Sequence, residues 1–98
     1  MAKGYWIALV TVTDPERYAG YQQHAPAAFA EYGARFLARG GEAVTLEGDA
    51  WQRHVVIEFD SMERALACYR SAAYQSARQK REGACHAHVV ITEGLSDG

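Results

Sequence analysis

The chain has 98 residues, of which 49% are hydrophobic and 22% charged, and its formal net charge is -2. That length allows one domain, and that balance belongs to a globular chain rather than a disordered one. The small negative charge excludes electrostatic steering toward nucleic acid or an anionic membrane, and no apolar run reaches membrane-spanning length.

Met1-Ala2-Lys3-Gly4 leads straight into a strand, with no basic region, apolar run and cleavage site, so a soluble cytoplasmic protein is expected. A chain of this size buries only about 60–65% of its unfolded surface, so its core is thin and a partner subunit would help.

Tyr5 to Val12 is β-branched and aromatic and reads as a strand. Tyr5, Ile7 and Leu9 alternate with Trp6, Ala8, Val10 and Val12, so both faces are apolar and both need cover. Asp14-Pro15-Glu16 then opens a helix: Asp14 caps, Pro15 suits the first helical position, and Glu16 complements the positive end. Tyr18, Tyr21 and Ala25 follow at helical spacing. Pro26 lacks an N–H and clashes one turn back, which predicts a kink or the start of a second segment. Phe29 and Tyr32 continue the pattern, and Gly33 supplies its stop.

Arg35 to Arg39 and Ala43 to Glu47 both read as extended, with Gly40-Gly41 between them. One long strand bent at a glycine bulge fits this pattern, with at least one glycine at positive φ; the alternative is a two-residue hairpin turn. Gly48 to Gln52 is a loop and Arg53 to Phe59 the next strand. Ser61 caps a second helix with Glu63 in its first turn and Met62, Ala65, Leu66 and Tyr69 as its apolar stripe. Ser71 caps a further segment carrying Tyr74, Ala77 and Arg78, which Gly83 ends. Ala87 to Glu93 is the last strand, and the single domain, 1–98, closes with a tail over 94–98.

The order strand, helix, strand, strand, helix, strand predicts an α+β domain, its four-stranded antiparallel sheet covered on one face by helices. The other face of the first strand is still apolar. Its simplest cover is a second copy of the same sheet, which predicts a homodimer.

Gly4-Tyr5-Trp6-Ile7-Ala8, Asp14-Pro15-Glu16-Arg17-Tyr18, Phe36-Leu37-Ala38-Arg39-Gly40-Gly41, Val55-Val56-Ile57-Glu58-Phe59 and Tyr69-Arg70-Ser71-Ala72-Ala73-Tyr74-Gln75 together resemble the bacterial domain-of-unknown-function family 1330, DUF1330, from Lys3 to about Gly94. The resemblance implies a ferredoxin-like βαββαβ fold that forms a dimeric α/β barrel. That architecture is shared with cofactor-free monooxygenases of antibiotic biosynthesis, but it implies no activity for this chain. The family pattern includes the positions held here by Tyr18, Arg39, Gly40, Gly41, Arg53, Glu58, Tyr74 and Gln75, and not His86 and His88.

Glu58 stands out as a carboxylate among Val55, Val56, Ile57 and Phe59, where an unpaired charge is costly. Arg39 and Arg53 are its expected partners. Two roles remain open for it: a salt bridge joining strands, or the acid–base group of a pocket between sheet and helices. In the pocket role, Glu58 and His24 are the candidate catalytic groups, and Tyr18, Arg39, Arg53 and Tyr74 the candidate ligand-binding ones. Tyr21 and Tyr69 read as core aromatics. His86 and His88 share a strand face, yet read as a polar strand start near solvent rather than, with His54, a metal site. Arg78, Lys80 and Arg81 read as a solvated helix face. Cys68 and Cys85 lie in no redox or metal spacing and read as free thiols.

There is no nucleophile elbow, phosphate loop, Cys–His pattern or cofactor-binding signature. Two readings of function follow. In one, the protein binds or converts a small aromatic or carbonyl-bearing molecule without a cofactor. In the other, it is a non-catalytic dimeric module with a filled core.

Overall fold

The computed structural model describes residues 2–96. In chain order the elements are β1 (Gly4–Val12), α1 (Pro15–Glu31), β2 (Arg35–Arg39), β3 (Arg53–Phe59), α2 (Met62–Arg70), α3 (Ala72–Gln79) and β4 (Cys85–Glu93). The strands form one antiparallel sheet in the order β2-β3-β1-β4. β1 is central and pairs with both β3 and β4, which explains why it is the most apolar strand.

The helix starts follow their caps. Asp14 accepts from the N–H of Arg17, Ser61 from Arg64 and Ser71 from Tyr74, each satisfying a donor that the first turn leaves without a helical partner. Ser71, at φ -67° and ψ 151°, ends α2 and begins α3 at once. Pro26 neither ends α1 nor divides it; the helix runs 17 residues through it. The proline removes only the N–H that would have bonded the Gln22 carbonyl, and packing of Ala25, Ala28 and Phe29 into the core holds the segment in line.

The glycine pair also differs from its expectation. Gly40 is at φ 73°, but the strand stops at Arg39 and the register shift lies earlier, between Phe36 and Ala38. Ala43 to Glu47 forms no strand: β2 is an edge, and among the described residues no neighbouring strand stands opposite this stretch. Residues 41–50 are exposed throughout, including Val44 at 74% and Leu46 at 87%. β4 begins at Cys85, earlier than Ala87, because Val12 of β1 is long enough to pair with it. At the other end the Gly94 N–H donates to the Lys3 carbonyl at 2.8 Å, so the tail leaves only after Gly94. Asp97 and Gly98 lie outside the described residues.

The core sits between the sheet and the helices. Trp6 is its centre, 1% exposed, with ring centroids of Tyr74, Phe29 and Tyr69 at 4.9, 5.0 and 5.6 Å. Edge-on and tilted ring pairs of this kind contribute beyond simple burial. Cys68 is buried under α1 and Cys85 half-buried, and both are free thiols. Burial, reinforced by Glu31, pushes the Cys68 thiol up to about 11, so it is an inert filler. Among the described residues no helix is long and apolar enough to cross a membrane.

Candidate functional site

Strand alternation sorts the sheet into two unlike faces. Trp6, Ala8 and Val10 of β1 stand opposite Ile57, Val55 and Arg53 of β3, and this set faces the helices. Tyr5, Ile7 and Leu9 stand opposite Glu58, Val56 and His54 and face away from them.

On the helix face the aromatic core does not close completely. A cavity of about 90 Å³ remains between the sheet and α1, α3 and the turn after α3. Rings of Trp6, Phe29, Phe36, Tyr21 and Tyr74 form much of its wall. Exposed Gln22, Arg39 and Ala87 stand at its mouth. Tyr18, Gln22 and Arg53 also line a broader outer cleft of about 440 Å³, which Gly40 and Gln52 help to bound.

Three arginines reach this space. Arg39 lies over the Phe36 ring, 4.1 Å from its centroid. Arg81 stacks 5.1 Å from the Tyr21 centroid and donates to the Tyr74 hydroxyl at 3.5 Å. Arg53 lies at the junction of cavity and cleft, and its Nε is buried with no hydrogen-bond partner. The Arg53 guanidinium packs against Gly40 so closely that a Cβ there would fall 2.7 Å from Nη1. Gly40 is therefore fixed twice, by its positive φ and by the arginine it admits.

Among the described residues no carboxylate, histidine or cysteine lines the cavity. Burial pushes the Tyr18 phenol up, with the neighbouring Arg53 charge pulling against it. Burial also raises Tyr21, reinforced by Tyr74, whose hydroxyl lies 2.9 Å from its own. Burial works against the Arg81 charge, but the Tyr74 hydrogen bond together with the neighbouring Tyr74, Tyr21 and Cys85 groups more than offsets it. The space thus combines aromatic walls, three cations, neutral phenols and no anion.

Of the residues expected from the sequence, Tyr18, Arg39, Arg53 and Tyr74 come together here. Glu58 and His24 do not. Glu58 is on the opposite face, where its partner is Arg35 rather than Arg39 or Arg53. Arg35 Nε donates to Oε1 at 2.9 Å, the Tyr5 hydroxyl donates to Oε2 at 3.0 Å, and Arg35 Nη2 also reaches Asp60 at 3.0 Å. The Arg35 hydrogen bond, then that of Tyr5, holds the Glu58 carboxyl below the ordinary glutamate range. His24 is exposed on α1, its Nδ1 2.7 Å from the Gly20 carbonyl oxygen. His54 and His88 share the open face but stand on either side of Leu9, in register with it from opposite strands. Among the described residues no three His, Cys, Asp or Glu side chains are grouped to hold a metal.

Arg81, expected on a solvated helix face, belongs to the cavity wall. The signal was in the spacing: Arg81 follows Ala77 by four residues and Tyr74 by seven, so it continues their buried face.

Comparison with known proteins bears on the fold. The family profile described as "Domain of unknown function (DUF1330)" matches residues 3–95. No curated protein matches the sequence. Among solved structures, a protein of unknown function from Rhodopseudomonas palustris is 18% identical, with a TM-score of 0.79 over 97% of this chain and 84% of that one. A dimeric protein of unknown function and ferredoxin-like fold from Bacteroides fragilis is 14% identical, TM-score 0.62, over 93% and 95%. SnoaB, a cofactor-independent oxygenase from Streptomyces nogalater, is 11% identical, TM-score 0.64, over 98% and 96%. At these identities the likeness is one of fold: a ferredoxin-like α+β domain.

Proposed function

The chain belongs to the DUF1330 family, and from that premise we propose that it is a homodimeric, cytoplasmic binding protein for a small organic molecule, held in each protomer between helices and sheet. The observation that carries this reading is Arg53. Its Nε is buried without a partner among the described residues at the edge of a cavity, where an acceptor from a ligand would satisfy it. Binding is favoured over proton-transfer catalysis because the titratable groups lining the cavity are tyrosines and arginines. None of these ordinarily exchanges a proton near neutral pH.

The open face of the sheet supports the dimer. Ile7, Leu9 and Val56 are only half-buried there and Val90 is exposed. A second copy would cover this apolar strip, and the Bacteroides fragilis protein of the same fold is dimeric.

The reading as a filled, non-catalytic module also has an observation behind it. Tyr18 and Tyr74 are almost wholly buried, and Glu58 has its partners. One measurement separates the readings, and a second tests the dimer that both share. A thermal-shift screen of small aromatic and carbonyl compounds on the wild type should give stabilising hits that Ala87→Trp, at the cavity mouth, removes. A module gives no hits, or the same hits in both. Sedimentation at micromolar concentration should give a dimer that Leu9→Asp splits, and a folded wild-type monomer would contradict the assembly.

A further inference from the structure

We propose that the ligand of this cavity is a small monocyclic aromatic carboxylate, its ring inside the aromatic wall and its carboxylate on Arg53. The inference deepens the binding reading above and rests on it.

Charge gives the sign of the ligand. Among the described residues Arg39, Arg53 and Arg81 all line the cavity, no acidic side chain does, and the ion pairs belong to Arg35 on the other face. Low-dielectric walls strengthen the field of these cations, so an anion is favoured there and a cation excluded.

Geometry selects the arginine. Arg81 spends donors on Tyr74 and Cys85, and its plane lies on Tyr21. Arg39 stacks on Phe36. Arg53 hydrogen-bonds the Tyr18 phenol, but its Nε alone among the three is a buried donor without an acceptor among the described residues. A guanidinium presents Nε and one Nη side by side, which matches the two oxygens of a carboxylate. Gly40 backs that guanidinium from the cleft side, so it is a positioning residue for Arg53.

Size and lining give the rest. An apolar cavity of about 150 Å³ accepts a benzene ring. The inner space here is about 90 Å³, smaller than that, so one ring is the upper limit and enters it only in part, the remainder of the ligand extending toward the 440 Å³ cleft across Arg53. Trp6, Phe29 and Phe36 offer ring faces and edges for such a partner.

Benzoate and its neutral isostere benzamide are the probes, titrated by calorimetry into the full chain at neutral pH. Benzoate should bind about tenfold or more tightly than benzamide, the usual advantage of a charge-assisted pair. Arg53→Gln should erase that difference, and Arg53→Lys, which keeps the charge but loses the fork, should recover only part of it. Gly40→Ala, displacing the guanidinium, should weaken benzoate and leave benzamide unchanged. Circular dichroism checks that each variant is folded. Equal binding of the two probes to the wild type overturns the anion assignment while the binding reading stands. An undiminished benzoate preference in folded Arg53→Gln overturns the role of Arg53. Binding of neither probe overturns this proposal, and a screen without hits overturns the reading beneath it.

Discussion

On the open face of the sheet, Glu58 and Arg35 meet at 2.9 Å, and Tyr5 and Asp60 take up further capacity of the pair. On the helix face, Arg53 starts the same strand with its Nε buried and unmatched, next to a cavity that no acid among the described residues lines. The contrast separates two uses of charge. A carboxylate that already has its donors is bound into the frame, and what it offers is strand registration. A guanidinium that meets the Tyr18 phenol but keeps its buried Nε unmatched beside an aromatic cavity is poised for a further acceptor.

The helix face also holds the fold, so the largest effect is expected at its centre. Trp6→Ala removes the ring shared by Tyr74, Phe29 and Tyr69, and should cost about 3–5 kcal/mol in urea unfolding. A loss under about 1 kcal/mol would mean that the aromatic cluster is not the core.

The two adjacent glycines sharpen the comparison next. Gly40→Ala forces a Cβ into the left-handed region and against Arg53, and should cost roughly 1–2 kcal/mol. At Gly41 φ is not positive and nothing approaches within 4 Å, so Gly41→Ala should be neutral or slightly stabilising. Equal melting temperatures for the two variants would remove the special status of Gly40.

The smallest effect belongs to the open face. In the folded chain the Glu58 carboxyl lies below its ordinary range, so on acidification the unfolded chain takes up this proton first. The stabilisation is full above the ordinary glutamate pKa of about 4.3 and is lost as pH falls through the lower folded value. Both side chains are partly solvated, which keeps the effect modest. Glu58→Gln should lower the melting temperature slightly at pH 7 and flatten its decline below about pH 4.5. An acid limb identical to the wild type would show that the pair contributes nothing.

Much of the architecture was legible in the sequence. The alternation in β1, the caps at Asp14, Ser61 and Ser71, and the β-branched runs gave the strand and helix order. The extended residues after Gly41 misled because β propensity needs a neighbouring strand, and β2 has none on that side within the protomer. Pro26 misled because burial of the surrounding turn outweighs one missing hydrogen bond.

The site was half legible. Tyr18 and Tyr74 stand out by their place one turn inside a helix start, and Arg39 and Arg53 as expected partners of Glu58; all four line the cavity, though the arginines do so without Glu58. Pairing Glu58 with Arg53 was an error that the sequence itself exposes. The two lie five positions apart on one strand, and an odd separation puts side chains on opposite faces. Arg35 as the true partner needed the register, in which Arg35 stands directly opposite Glu58. The emptiness of the cavity depends on how rings pack, which no local pattern encodes.

The most direct test sets the two faces against each other in one assay: the thermal shift produced by benzoate on the wild type, Glu58→Gln and Arg53→Gln. Glu58→Gln should begin from a slightly lower melting temperature and respond to benzoate as the wild type does. Arg53→Gln should stay folded and lose the response. A Glu58→Gln protein that no longer responds, with Arg53→Gln responding in full, would place the functional charge on the open face and contradict the assignment.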